Sequence, residues 1–70
     1  DKSVTDFING YRLRNASVML MRNPELSITE IGESSGFNSR SSFNRLFLGR
    51  YGMTPSEFRR ISKKEEKEKA

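Results

Sequence analysis

Four polar side chains in the centre of the chain have residue types and a spacing that suit recognition of a hydrogen-bonding surface. They are Arg40, Ser41, Asn44 and Arg45, and their intervals of i, i+1, i+4 and i+5 bring them to one side of a helix. Arginine can make paired hydrogen bonds to guanine O6 and N7, and asparagine can make them to adenine N6 and N7. The pattern is therefore typical of base recognition in double-stranded DNA, but also of an ordinary solvent-exposed polar face.

The charge of the chain is concentrated in the same region. Residues 36–61 carry five arginines against a single acid, Glu57, although the net charge of the whole chain is only +4 at pH 7. Arginine is well suited to phosphates and to guanine edges. The charge distribution is consistent with a DNA partner and equally with a solvated basic surface.

Catalysis and cofactor binding have little support in the sequence. The 70 residues contain no histidine and no cysteine, and no glycine-rich phosphate-binding loop is present. Glu30 and Glu57 stand at positions where they complete helix caps. We therefore expect a small domain that is not an enzyme and that uses no disulfide, metal or other cofactor.

The sequence gives no indication of a membrane segment. No apolar run approaches the roughly 20 residues that a helix needs to cross a bilayer. The pattern of a secretory signal peptide is also missing. We expect a cytoplasmic protein.

A first helix is predicted from about Ser3 to Arg22. Ser3 and Asp6 have capping-box spacing, and Asn23-Pro24 ends the helix because the residue before proline avoids helical backbone angles. One side is predicted to face the core through Ile8, Leu13, Ala16, Met19 and Leu20. A second apolar strip on this helix consists of Val4, Phe7, Tyr11 and Val18.

A second, short helix is predicted over Ile28–Ser35. Its start carries a capping box and a hydrophobic staple, formed by Ser27 with Glu30 and by Leu26 with Ile31. Gly36 is predicted to end it in the left-handed conformation. A four-residue connection, 36–39, then leads to the next helix.

A third helix is predicted from Arg40 to about Tyr51, with Ser39 as its N-cap and Gly52 at its end. Phe43, Phe47 and Tyr51 recur every four residues, so we expect them to face inward and the polar side to face outward.

A fourth helix is predicted to begin at Thr54 as N-cap, with Pro55 at the first helical position and Glu57 completing a capping box. It should run to about Ile61 or a little beyond. The segment 62–70 is almost entirely Lys and Glu, and it either extends this helix or frays. We expect no function there.

Two short helices joined by a glycine-containing turn are typical of a helix-turn-helix. The stretch from Ile28 to Arg59, with its Gly36-Phe37 and Gly52-Met53-Thr54-Pro55 signatures, resembles the C-terminal region of AraC/XylS-type transcription regulators. The segment 11–16 resembles the linker helix of that family. The chain is thus expected to be all-α, with a homeodomain-like three-helix unit (about 27–61) preceded by a linker helix (about 3–22).

The resemblance implies a bacterial transcription factor that binds double-stranded DNA and associates with the nucleoid in this way. In that family two helix-turn-helix units are joined by a long helix, and each unit reads one major groove. It therefore implies that a first unit and a sensor domain belong to a longer parent protein.

The resemblance also implies roles for individual residues. Base contacts are expected from Arg40, Ser41, Asn44 and Arg45, and phosphate contacts from Ser27, Ser42, Thr54 and Ser56. Phosphate contacts are also expected from Arg50, Arg59 and Arg60 because of their charge, with plain surface arginines as the alternative. Two positions depart from the family pattern: Gly32 stands where alanine is usual, and Leu48 stands where Lys or Arg is usual. Gly32 should still permit close helix packing, and Leu48 should remove one phosphate contact.

A helical protein–protein interaction module is the alternative interpretation. The strip of Val4, Phe7, Tyr11 and Val18 would be covered by a first unit in the family arrangement, and exposed apolar surface of this kind tends to find a partner. The alternative predicts self-association through the first helix, and it does not exclude DNA binding.

Overall fold

Four α-helices and no strand make up the part of the chain that the computed structural model describes, which comprises the backbone of residues 2–69 and the side chains of residues 4–63. The helices are α1 (Lys2–Arg22), α2 (Ile28–Ser34), α3 (Arg40–Tyr51) and α4 (Pro55–Lys69). The expected all-α class is confirmed.

Capping boxes begin α2 and α4 as predicted. The Ser27 hydroxyl accepts the Glu30 N–H at 3.1 Å, and the Glu30 carboxylate accepts the Ser27 N–H at 3.2 Å. At the start of α4 the Thr54 hydroxyl accepts the Glu57 N–H at 3.2 Å, and the Glu57 carboxylate accepts the Thr54 N–H at 3.0 Å. These bonds satisfy N–H groups that have no partner within the helix.

The start of α3 uses a simpler cap. The Ser39 hydroxyl accepts the Ser42 N–H at 3.2 Å, and α3 begins at Arg40, as predicted. The first residue of the polar face thus follows directly after the cap.

Left-handed glycines end α2 and α3, also as predicted. Gly36 has a φ of +98°, and the Phe37 N–H donates to the Gly32 carbonyl at 3.0 Å, which is the Schellman arrangement. Gly52 has a φ of +74°, and its N–H donates to the Leu48 carbonyl at 2.8 Å.

Three predicted boundaries differ from the structure. Helix α1 already includes Lys2, so Ser3 lies inside the helix rather than at its cap, and the Ser3 side chain falls outside the described side chains. Helix α2 ends at Ser34, with Ser35 as its C-cap. Helix α4 continues to Lys69, so the predicted tail extends the helix.

The core lies where α1 contacts α2, α3 and α4. Its buried apolar residues are Leu13, Ala16, Leu20, Ile31, Phe37, Phe43 and Phe47. Aromatic rings connect its parts, with ring centroids 5.1 Å apart for Phe37 and Phe43 and 5.5 Å apart for Phe47 and Phe58. Tilted and edge-on pairs at these separations are favourable, so the rings join the α2–α3 turn to α4.

The prediction that Ile8 belongs to the core side of α1 is wrong, because its side chain is 40% exposed. The described core residues of α1 begin at Leu13, and Met19 is half-buried against them. The other helices therefore cover the second half of α1 and leave most of its first half open.

Candidate nucleic-acid interface

Helix α3 has one buried aromatic side and one exposed polar side. Phe43 and Phe47 are fully buried, which confirms that they anchor the helix to the core. Arg40, Ser41 and Arg45 are exposed, and Asn44 is half-buried. The burial pattern leaves the predicted base-reading side chains on the surface of a firmly anchored helix.

The centre of this surface is a stripe at helical spacing, which we call the α3 stripe. It consists of Ser41, Asn44, Arg45 and Leu48, at i, i+3, i+4 and i+7. At 1.5 Å per residue its Cα positions span about 10.5 Å along the helix axis. The major groove of DNA is about 12 Å wide, and an α-helix with its side chains is about 10–12 Å in diameter, so an α-helix fits within the groove.

The close approach of α2 to α3 depends on a glycine. A Cβ atom at Gly32 would lie 2.9 Å from Cδ2 of Phe43, a distance that real Cβ atoms essentially never show. The lack of a side chain at this position thus lets α2 lie directly against the buried Phe43 ring. This contact fixes the position of α3 relative to α2.

Arg12 packs against the turn between α2 and α3. A Cβ atom at Gly36 would lie 2.9 Å from Nε of Arg12, so the half-buried arginine side chain lies against the turn backbone. The sequence reasoning missed this contact. No residue spacing in the sequence indicates this contact, because it joins two residues that lie far apart in the chain and depends on the conformation of one long side chain.

The predicted phosphate-contact residues differ in exposure. Ser27, Arg50, Ser56 and Arg60 are exposed, whereas Ser42, Thr54 and Arg59 are half-buried. The Thr54 hydroxyl both accepts the Glu57 N–H and donates to Glu57 Oε1 at 3.0 Å. Its hydrogen-bonding capacity is therefore largely used inside the cap.

Arg50 and Arg59 lie away from the α3 stripe. The Arg50 guanidinium approaches the α1 backbone, with Nη1 3.9 Å from the position of a Cβ at Gly10. Arg59 Nη2 donates to the Asn23 carbonyl at 3.3 Å, between α4 and the end of α1, and Arg59 Nε is buried with no hydrogen-bond partner among the described residues. Arg59 is thus held against the end of α1, whereas Arg50 lies near α1 with its side chain exposed.

The start of α4 carries an acidic group. Hydrogen bonds from the backbone N–H and the hydroxyl of Thr54 lower the pKa of Glu57 below its ordinary value of 4.5, and the charge of Arg60 lowers it further. Glu57 is therefore ionised at neutral pH, with the exposed Arg60 as a nearby positive charge.

Two other kinds of site find no support among the described residues. They contain no cluster of three or more His, Cys, Asp or Glu side chains that could hold a metal ion. None of the helices in this part of the chain is long and apolar enough to cross a membrane.

Comparisons with known proteins identify relatives for most of the chain. A family model described as a helix-turn-helix domain matches residues 1–61. No solved structure gives a significant match.

Several curated bacterial proteins are similar to this chain. The Msm operon regulatory protein of Streptococcus mutans is 38% identical over 58 residues, which are 83% of this chain and 20% of that protein. The transcriptional activator RhrA of Rhizobium meliloti is 42% identical over 57 residues, 80% of this chain and 18% of the relative. The HTH-type transcriptional regulator MtrA of Neisseria gonorrhoeae is 32% identical over 54 residues, which are 77% of this chain and 18% of that protein. The chain thus spans about a fifth of the length of these relatives.

Proposed function

Because the chain belongs to the AraC/XylS type of helix-turn-helix transcription regulators, we propose that it binds double-stranded DNA sequence-specifically, with α3 in the major groove. A DNA-binding role in transcription regulation follows from the family. The observation that supports this use of α3 is its division into a buried aromatic side and an exposed polar side. In helix-turn-helix proteins the second helix of the motif enters the groove.

We assign base recognition to Arg40, Ser41, Asn44 and Arg45. The two arginines can recognise guanine through paired hydrogen bonds, Asn44 can recognise adenine, and Ser41 can hydrogen-bond to more than one base. Each good bidentate contact discriminates against the wrong base by about 1–3 kcal/mol. The N-terminal half of α3 would therefore carry most of the hydrogen-bonded sequence preference.

We assign phosphate contacts to residues around this face. The predicted set is Ser27, Ser42, Arg50, Thr54, Ser56, Arg59 and Arg60. Among its arginines, Arg60 fits this role best, because its side chain is exposed. The phosphate roles of Arg50 and Arg59 stay predictions: the exposed Arg50 guanidinium lies near α1, and Arg59 donates to the Asn23 carbonyl.

The wider assignment follows the family architecture. We propose that residues 3–22 form the linker helix and residues 27–61 the second helix-turn-helix unit of a longer regulator, in which a first unit and a sensor domain occupy other parts. In this proposal the protein acts by binding, without catalysis, in the cytoplasm where bacterial DNA is located.

The proposal is tested by selecting preferred sites from a randomised DNA duplex library with the 70-residue chain, followed by mobility shifts at low salt. Arg40→Ala and Asn44→Ala should relax base preference at separate positions and weaken binding to the selected site by about 1–3 kcal/mol each. Matched controls are Arg14→Ala and Asn15→Ala, which remove the same side-chain types from exposed positions on α1. A selection without enrichment, or equal effects of both pairs, would contradict the proposal.

Self-association through α1 is a second candidate function. The side chains of Val4, Phe7 and Tyr11 are 55%, 76% and 65% exposed, which forms an open apolar surface on the first half of α1. Val18, also predicted for this surface, is half-buried and contributes less. We propose that a second copy of the chain covers this surface. Light scattering should show a concentration-dependent dimer that Phe7→Ser weakens, and a strict monomer at high concentration would exclude it.

A further inference from the structure

We propose that Leu48 is a specificity-determining residue that recognises the 5-methyl group of a thymine in the major groove. The inference rests on the proposed function and adds an apolar contact to a face whose other predicted contacts are hydrogen bonds. It also gives a role to the residue in the α3 stripe that cannot make a hydrogen bond with its side chain.

The exposure of Leu48 sets it apart on its helix. Its side chain is 47% exposed, and it is the only large apolar side chain on α3 that is exposed. Exposed apolar residues are common on protein surfaces, so exposure alone does not indicate a role. What distinguishes Leu48 is its place in the same stripe as Asn44 and Arg45.

The spacing places Leu48 one helical turn beyond Asn44 and three residues beyond Arg45. Side chains at such intervals lie beside one another on a helix. A helix that brings Asn44 and Arg45 to base edges therefore brings Leu48 toward the same groove. The Lys or Arg that is usual at this position in the family is longer than leucine and can extend to a phosphate at the edge of the groove, whereas leucine can contact only the nearer base edges. Gly49 follows it, with nothing within 4 Å of the position where a Cβ would stand, so the helix surface beside Leu48 is open to a close approach.

The chemistry of the groove selects the base. In the major groove thymine presents a methyl group beside its O4 acceptor, and none of the other three standard bases presents a methyl group there. Packing leucine on that methyl removes two apolar surfaces from water. Packing it on a polar edge would displace water from groups that leucine cannot bond. Leu48 therefore favours thymine over the other bases.

The experiment replaces thymine by deoxyuridine, which lacks only the methyl group. After selection of a preferred duplex with the 70-residue chain, each thymine is replaced in turn and binding is measured by mobility shift. One replacement should weaken binding by about fourfold, the change expected for burial of one methyl-sized group. In Leu48→Ala the thymine and deoxyuridine duplexes should bind equally at that position.

Two further variants control for indirect effects. Leu48→Met keeps an apolar side chain of similar size, and it should retain a clear thymine preference. Ile61→Ala removes a side chain of similar exposure, 42%, from α4, and it should leave the fourfold difference unchanged.

The outcomes separate this inference from the proposed function. If no duplex is enriched, the proposed function fails and Leu48 has no role in reading DNA. If binding depends on Arg40 and Asn44 but no deoxyuridine replacement weakens it, the Leu48 proposal is overturned while the proposed function stands. A deoxyuridine effect that persists at full size in Leu48→Ala also overturns it.

Discussion

At the residue scale, two helical glycines meet opposite surroundings. A Cβ at Gly32 would lie 2.9 Å from Cδ2 and 3.2 Å from Cγ of the fully buried Phe43, whereas nothing lies within 4 Å of a Cβ at Gly49. A substitution by alanine at each position therefore distinguishes two effects: the higher helix preference of alanine, which applies to both positions, and its steric cost, which applies only to position 32.

We expect Gly32→Ala to destabilise the protein and Gly49→Ala to stabilise it. Alanine favours a helix over glycine by up to about 1 kcal/mol at both positions. Overpacking at position 32 costs about 1–3 kcal/mol, which leaves a net loss of up to about 2 kcal/mol. Free energies of unfolding from urea titrations measure both changes, and a gain of equal size in the two variants would show that the Phe43 ring moves away freely.

Arg59 and Arg60 are neighbours in sequence with different expected roles. Arg59→Ala removes a charged hydrogen bond to the Asn23 carbonyl, so we expect it to lower the free energy of unfolding by about 1–2 kcal/mol. Arg60→Ala should change stability by less than about 0.5 kcal/mol, because Arg60 is exposed.

The salt dependence of DNA binding distinguishes the same pair. Removing one phosphate contact lowers the slope of log affinity against log salt by about 0.9. We expect this change in Arg60→Ala, and an equal change in Arg59→Ala only if its guanidinium leaves the Asn23 carbonyl to reach DNA. A reduced slope in Arg59→Ala would therefore support the phosphate contact that its charge predicts for that residue.

At the scale of the helices, the ionised Glu57 makes the stability of the cap at the start of α4 depend on pH. Its pKa is lowered in the folded protein, so the cap contributes stability above about pH 4.5 that is lost as the pH falls through the folded-state pKa. Glu57→Gln can still complete the capping box but does not titrate.

The difference in unfolding temperature between the original protein and Glu57→Gln should therefore change as the pH is lowered from 5 to 3, with a larger fall in the unfolding temperature of the original protein. Other carboxylates titrate in both proteins, so the difference isolates Glu57. Parallel curves over this range would show that the Glu57 charge adds nothing to the cap.

The helices also show which parts of the structure could be predicted from the sequence. The caps at Ser27, Ser39 and Thr54 were predictable because an N-cap and its partner lie within four residues of each other. Ile8 was misplaced because the periodicity of one helix does not show how far the neighbouring helices extend along it.

In the candidate site, the exposed face of α3 was predictable because burial of Phe43 and Phe47 determines the opposite side. The contacts of Arg12 with the Gly36 turn and of Arg59 with Asn23 were not predictable in the same way. Each depends on the tertiary arrangement and on the conformation of a long side chain.

At the scale of the whole molecule, stability depends on a small aromatic core. The Phe47 ring is packed with those of Phe43, Tyr51 and Phe58, with centroid distances of 5.8, 4.6 and 5.5 Å. A domain of this size has a free energy of unfolding of about 4–10 kcal/mol. Burial of one such ring therefore contributes a large part of this free energy.

We expect Phe47→Ala to cost about 3–5 kcal/mol and to leave much of the population unfolded at 37 °C. Phe7→Ala removes the same side chain from a position that is 76% exposed, and it should change stability by less than about 0.5 kcal/mol. Circular dichroism melting at low protein concentration measures both. Similar melting temperatures for the two variants would mean that the core does not depend on Phe47.

The contact between Gly32 and Phe43 also has a consequence for how such a sequence can diverge. The space that a Cβ at position 32 would need is already occupied by the Phe43 ring. We therefore expect a larger residue at 32 to cost less stability after position 43 has changed to a smaller side chain than before that change. The two positions are thus expected to be epistatic, so that the stability of the intermediate depends on which substitution comes first.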